Sequence, residues 1–176
     1  MSPRTARRRL FFALWPEPLM AEHLAAARPA VEASFARIDD LHLTVLFLGQ
    51  VPELQLAALT AAVGQIRLPS VRQPLVRLEA WPQSGVLCLV GDPVEPLERL
   101  RHALERAAEA AGLDRPRERQ EFRAHVTLGR GFTPEAGFVL PPVAPLLLVA
   151  RRFTLAESVP RRDGRCYDPL ASWSLE

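Results

Sequence analysis

LHLTVLFLG (residues 41–49) and AHVTLGRG (residues 124–131) decide how this chain is read. Each places a histidine, and a threonine two positions on, inside an apolar run: His42 with Thr44, and His125 with Thr127. The chain has four histidines, and two of them carrying threonine at the second following position is a coincidence of about one in a hundred, before any demand for matching flanks. Both runs read as strands. Side chains alternate along a strand, so His42 and Thr44 leave one face while Leu41, Leu43, Val45 and Phe47 leave the other. His125 and Thr127 likewise share a face opposite Val126 and Leu128. Each strand then offers an imidazole beside a hydroxyl, backed by an apolar face that can be buried. If the two halves of the chain meet, two imidazoles and two hydroxyls converge on one volume.

Outward from these runs, the chain alternates strands and helices. Leu10–Trp15 is a short apolar strand, and Pro16 and Pro18 open a helix running through residues 19–36, kinked or split at Pro29. The strand at 41–49 closes at Gly49, and Pro52 precedes a helical pattern over 53–66. Residues 71–81 and 85–91 read as two strands joined at Gln83-Ser84-Gly85. The longest helical pattern starts after Pro93 and Pro96, with Gly112 as its C-terminal cap. A charged irregular segment, DRPRERQEF (114–122), leads into the second histidine strand, and prolines 141, 142 and 145 make a loop. Strand-like runs at 146–158 and 171–175 flank a turn at RRDGRCYDPL (161–170). This mixture with hairpins argues against a doubly wound parallel sheet and for an α+β fold with antiparallel sheets and helices packed outside.

Composition sets the class. The chain has 176 residues, 48% hydrophobic and 24% charged, typical of one globular domain. Its 22 basic residues, all arginine, face 20 acidic ones for a net charge of +2, which excludes a basic coat for duplex nucleic acid. Cys88 and Cys166 are too few for a disulfide framework and too far apart for a zinc knuckle. The apolar run after the N-terminal arginines stops at Pro16, short of a secretory signal, and nothing approaches the ~20 apolar residues of a membrane span. The expectation is a cytoplasmic protein with reduced thiols and no membrane association.

Two histidines and two threonines suit in-line displacement at phosphorus. Imidazole titrates near neutrality, so one ring can donate a proton to a leaving oxygen while the other takes one from the attacking group. Threonine hydroxyls donate to the non-bridging phosphate oxygens. Arg130 could add a bidentate contact, although strict alternation turns it to the opposite face unless Gly129 and Gly131 redirect the strand. His23 and His102 lie on helical patterns without such partners. A zinc site built from His42 and His125 wants a third ligand, and neither an H-E-x-x-H nor a C-x-x-C spacing supplies one. Local basic clusters (Arg7, Arg8, Arg9, Arg117, Arg119, Arg123, Arg151, Arg152, Arg161, Arg162) could follow a nucleic-acid backbone or be plain solvated surface. Phe11, Phe12, Phe47 and Trp81 could stack a base, with the core as their default place.

At these motifs the sequence resembles the 2H phosphoesterase superfamily, and within it the RNA 2′,3′-cyclic phosphodiesterases, also called 2′-5′ RNA ligases. RLFFALWP is similar to that family's first strand, LHLTVLFLG and FRAHVTLGR to its two motifs, and Gly164, Tyr167, Pro169, Leu170 and Trp173 to its closing hairpin. The family often has proline before the second histidine; here it is Ala124. The resemblance implies a bilobal, pseudo-twofold fold with an antiparallel sheet in each lobe and a central cleft, residues 1–176 forming one domain of two intertwined lobes. It implies hydrolysis of an RNA 2′,3′-cyclic phosphate end, such as that of a tRNA fragment, to a 2′-phosphomonoester, without metal or other cofactor. His42 would be the proton donor to the departing 3′ oxygen, His125 the base that activates water, and Thr44, Thr127 and Arg130 the phosphate holders. Reversal at the same site would give ATP-independent 2′-5′ ligation, and a monomer would suffice. Two rival readings are a non-catalytic module that binds RNA ends and a phosphodiesterase for a small cyclic phosphate.

Overall fold

The computed structural model describes residues 6–114, 121–162 and 164–176; Arg117, Arg119 and most of the charged segment after Asp114 lie outside them. In chain order the elements are β1 (Arg7–Leu14), α1 (Pro18–Ala26), β2 (Ser34–Phe35), β3 (Leu43–Pro52), α2 (Leu56–Val63), β4 (Val71–Leu75), β5 (Arg77–Trp81) and β6 (Val86–Gly91). Then follow α3 (Glu95–Ala110), β7 (Ala124–Arg130), β8 (Leu146–Ala150), β9 (Arg152–Arg161) and β10 (Gly164–Ser174). Eight strands form one antiparallel sheet in the order β10-β9-β1-β3-β7-β6-β5, with β2 also on β7, and β4 and β8 make a separate two-stranded sheet. The α+β architecture with antiparallel sheets and outer helices is as the sequence implied.

The large sheet is two halves joined at a waist. β10-β9-β1-β3 form one half and β7-β6-β5 the other, and between β3 and β7 one residue pair, Leu43 opposite Val126, carries the ladder. One face is dry. Leu10, Phe12 and Leu14 of β1, Leu43 and Val45 of β3, and Val126 and Leu128 of β7 are buried together with Leu59 and Val63 of α2 and Leu97, Leu100 and Leu104 of α3. Burying a leucine-sized side chain is worth roughly 1.5–3 kcal/mol, so this packing is what holds the helices to the sheet. The opposite face is left to the cleft. Among the described residues no helix is long and apolar enough to cross a membrane.

Several elements differ from the sequence reading. The first helix stops at Ala26 rather than running to residue 36, because the residue before Pro29 is sterically barred from the helical region. The released chain bends back, and Ser34–Phe35 pairs with Arg130 and Gly129 of β7. The helix over 53–66 is a 3₁₀ turn (Glu53–Gln55) followed by α2. The run 71–81 breaks at Val76: β4 joins β8, and β5 joins β6. Pro74 has no N–H for a central ladder, and a two-stranded ribbon tolerates that. The run 146–158 breaks at Arg151. β3 continues past Gly49 to Pro52, and β10 starts at Gly164, so the last turn is much tighter than RRDGRCYDPL suggests; its residue 163 is outside the described set. The Gly85 turn and the Gly112 cap appear as expected, both with positive φ.

Where β4 passes over the end of β6, the fold needs a glycine. A Cβ at Gly91 would land on the Pro74 carbonyl oxygen. Beside it, buried Gln73 donates from Nε2 to the carbonyls of Pro74 and Asp92, and its Oε1 accepts the Val94 N–H. This clasp ties the small sheet to the start of α3. Gly91→Ala should therefore cost about 2–3 kcal/mol of overpacking or more, seen in thermal unfolding as a drop in Tm of roughly 5 °C or more.

Candidate active site

The waist of the sheet assembles the site. Leu43 and Val126 each follow a histidine and are directly opposite in an antiparallel pair. Extending that register one residue each way sets His42 across from Thr127, and Thr44 across from His125. Directly opposed residues share a face, with Cβ atoms roughly 4.5–5.5 Å apart. The four side chains thus form a compact quartet about a local twofold, on the face opposite the buried leucines. All five residues expected from the sequence (His42, Thr44, His125, Thr127 and Arg130) line one cleft of about 630 Å³.

Both rings are held the same way. His42 Nδ1 lies 2.7 Å from the Asp40 carbonyl oxygen, and His125 Nδ1 lies 2.8 Å from that of Arg123. A carbonyl only accepts, so each Nδ1 carries the proton and donates it. In the neutral ring Nε2 is then the bare nitrogen. Neither threonine hydroxyl is engaged by another described side chain, and both can donate into the cleft.

The surroundings of the rings differ. His42 sits in an aromatic box: stacked on Trp15 at 4.9 Å between centroids, edge-on to Tyr167 at 4.7 Å, and against Phe11 at 5.2 Å. The Trp15 indole N–H donates to the Asp39 carbonyl, which fixes that wall. Burial pushes the His42 imidazole down to about 4; the Asp40 carbonyl opposes this, and the charges of His125 and Arg130 add to it. His125 meets the Trp81 ring edge-on at 4.7 Å. Its proton affinity is also lowered, first by burial, with the charges of Arg123 and Arg130 adding and the Arg123 carbonyl and Glu79 opposing.

Two β-bulges re-aim side chains into the cleft. In β7, Cys88 is opposite Thr127 but Leu87 is opposite Gly129, so Leu128 is an extra residue. The bulge reverses the alternation, and Arg130, opposite Val86, joins the face of His125 and Thr127. Strict alternation gave the wrong face for Arg130, and the bulge is the physical reason. In β3, Ala13 is opposite Thr44 and Phe12 opposite Leu46, so Val45 is extra. Phe47 consequently leaves the buried face expected for it and stands 40% exposed in the cleft. The Arg9 guanidinium lies over its ring at 4.6 Å.

Of the other stacking candidates, Phe12 is fully buried, Phe11 lines the cleft, and Trp81 is half-buried behind His125. Of the basic clusters, Arg9 and Arg161 reach the cleft, whereas Arg8 pairs with Glu157 and Arg123 with Glu79. Arg37 and Arg165 also line it and were not singled out from the sequence. Arg165 fell within the presumed turn, and Arg37 at the end of the presumed helix, so neither had a predicted face. Among the described residues no three His, Cys, Asp or Glu side chains gather as a metal-binding group.

A family model described as the 2′-5′ RNA ligase superfamily matches residues 15–157, which include both histidine strands. The chain belongs to that superfamily. It is 33% identical over 141 residues to the RNA 2′,3′-cyclic phosphodiesterase of Escherichia coli (strain K12), a match covering 78% of this chain and 77% of that protein. A second protein of that name, from Aeropyrum pernix, is 33% identical over 96 residues, 52% of this chain and 53% of that one. Among solved structures, E. coli LigT complexed with 3′-AMP superposes with a TM-score of 0.82 at 30% identity, covering 96% of this chain and 98% of that one. LigT complexed with phosphate gives 0.77 at 29% identity, covering 97% and 98%.

For this superfamily member the depressed His42 has a measurable consequence. In the unfolded chain His42 titrates near 6.5, so on acidification the unfolded state takes up the proton first. The stability tied to the neutral ring is complete above pH 6.5 and is lost as pH falls towards 4. Imidazole NMR should find His42 uncharged at pH 5.5 in the free protein, and denaturant unfolding should show less loss of stability between pH 6.5 and 4 in His42→Gln than in the parent.

Proposed function

We propose that this protein hydrolyses the 2′,3′-cyclic phosphate end of RNA to a 2′-phosphomonoester, with His42 and His125 as acid and base and residues 1–176 working as one unit of two intertwined lobes. The observation that carries this reading is the quartet at the waist: two Nδ1-protonated imidazoles and two hydroxyls around one small volume. Membership of the superfamily, and relatives named for this activity, support it.

In the proposed reaction the cyclic phosphate sits among the Thr44 and Thr127 hydroxyls and the Arg130 guanidinium, which bind the non-bridging oxygens. His125 Nε2 takes a proton from water as the water oxygen bonds to phosphorus. The P–O3′ bond breaks, and His42 Nε2–H gives its proton to the departing 3′ oxygen. The product keeps its phosphate on the 2′ oxygen, and the two rings have exchanged one proton. His42 is neutral in the empty cleft, so it is loaded when the anionic phosphate arrives and raises its proton affinity. A ring that burial makes a poor base is, once protonated, a ready donor. With a 5′-hydroxyl in place of water and the same roles, His125 would take that hydroxyl's proton and His42 would protonate the departing 3′ oxygen, leaving a 2′-5′ linkage made without ATP; exchanged roles would cleave that linkage again.

The cleft is larger than a cyclic phosphate needs, and its excess is aromatic and cationic. Phe47, backed by Arg9, suits a nucleobase on its open face, and Arg161 and Arg165 suit the phosphates of the preceding residues. These features favour an RNA end over a small cyclic phosphate.

Incubation of a cyclic-ended oligoribonucleotide with the protein in EDTA should give a 2′-phosphate end by ³¹P NMR, with His42→Ala and His125→Ala each slower by about 10²–10⁴-fold and still folded. A 3′-phosphate product would overturn the reading. Phe47→Ala should reduce kcat/KM for that oligonucleotide by about tenfold and leave a base-free ribose 2′,3′-cyclic phosphate little affected, as steady-state kinetics on both substrates would show.

A further inference from the structure

The second imidazole rests on a carboxylate two strands away. β5 presents Arg77, Glu79 and Trp81 on the cleft side, opposite Val90, Cys88 and Val86 of β6, which in turn face His125, Thr127 and Arg130 of β7. Trp81 packs on the small patch of Val86, Cys88 and Val90, and its ring reaches His125. The Trp81 Nε1–H donates to Glu79 Oε2 at 3.0 Å. Glu79 Oε1 accepts from Arg123 Nη2 at 2.6 Å and from Arg77 Nε at 3.0 Å. Arg123 is the residue whose carbonyl receives the His125 Nδ1–H, and its guanidinium also lies 5.7 Å from the Trp81 ring centre.

We infer that Glu79 is a positioning residue for His125, clamping the indole that walls the ring and the arginine whose carbonyl orients it, and neutralising that arginine's charge. Glu79 touches neither the cleft's quartet nor the ring. It acts through two neighbours, each tied to it by a directional bond. Among the described residues the first imidazole has no such support: its box is made of Trp15, Tyr167 and Phe11, with the Trp15 indole held by a backbone carbonyl. The clamp therefore makes the two rings unequal. The charged and titratable groups around His125 are Arg123 just before its strand, Arg130 on it, Arg77 and Glu79 on β5, Cys88 on β6 and His42 across the waist. Glu79 is the anion among them, and its proton affinity bears out that it is ionised: burial pulls it up, but the bonds from Trp81, Arg123 and Arg77 outweigh this and hold it below the usual range.

The inference deepens the proposed reaction and rests on His125 working in it, so the test has one arm free of activity. In Glu79→Gln the amide keeps the shape but has one acceptor oxygen for three donors and no charge. In the substrate-free protein, imidazole NMR should show His125 titrating at lower pH than in the parent, with the His42 resonance little changed. In kinetics on the cyclic-ended oligonucleotide, kcat should fall about tenfold at unchanged KM, and the limb of the pH profile that belongs to His125 should move to lower pH. An unmoved His125 titration together with an unchanged kcat overturns the inference. If His125→Ala keeps its turnover, the reaction scheme fails while the NMR arm still decides the clamp. If Glu79→Gln does not fold, Trp81→Phe decides: it keeps the wall and removes the N–H bond, and kcat should drop several-fold at constant KM, an unchanged kcat overturning the clamp.

Discussion

One backbone pairing governs this molecule. Leu43 opposite Val126 is the sole ladder contact between β3 and β7, and through it the two halves of the large sheet become one surface. Because the pairing is antiparallel and each partner follows a histidine, the register itself brings each imidazole beside the other strand's hydroxyl. A slip of one residue would send one whole set of side chains through the sheet, the histidine into the leucine core and the leucines into the cleft. The apolar packing of Leu43, Val45, Val126 and Leu128 against α2 and α3 resists that slip, so the core is what fixes the chemistry's geometry.

The parts of the site that were legible in the sequence are those fixed by local alternation. His42 with Thr44 and His125 with Thr127 each follow from a period of two, and the internal repetition of the pattern singles them out. Phe47 and Arg130 were named from the sequence, but the face each occupies was not legible, because each lies beyond an inserted residue. A bulge depends on how the partner strand pairs, and nothing local to LHLTVLFLG or AHVTLGRG shows that Val45 and Leu128 are skipped by β1 and β6. The same limit explains the elements that were misplaced. The helix over 19–36 failed at Pro29, a local signal, but its remainder became a strand only because β7 offered an open edge. The run 71–81 looked continuous, and its division between two sheets depends on which distant strand each half meets.

The two imidazoles share one device and differ in everything else. The carbonyl two residues back fixes the same tautomer in both, as expected of two copies of one strand motif. Around that common centre, one ring is enclosed by aromatic surface and the other leans on a hydrogen-bonded ion cluster across β5 and β6. A twofold arrangement of backbone thus carries an uneven electrostatic environment. Reactions that need one donor and one acceptor require that kind of inequality, and here it comes from the flanking strands, outside the repeated motif.

The chain holds no lysine, and this shapes how the cleft responds to its medium. A guanidinium keeps its proton across the whole range in which proteins stay folded. The cations along the cleft wall (Arg9, Arg37, Arg130, Arg161 and Arg165) therefore form a constant background that acid or mild alkali leaves intact. Against it, the two imidazoles are the cleft's variable cations, and their surroundings lower the proton affinity of both. The arginine share of the pocket's positive charge therefore stays constant with pH, and the share carried by the two rings does not.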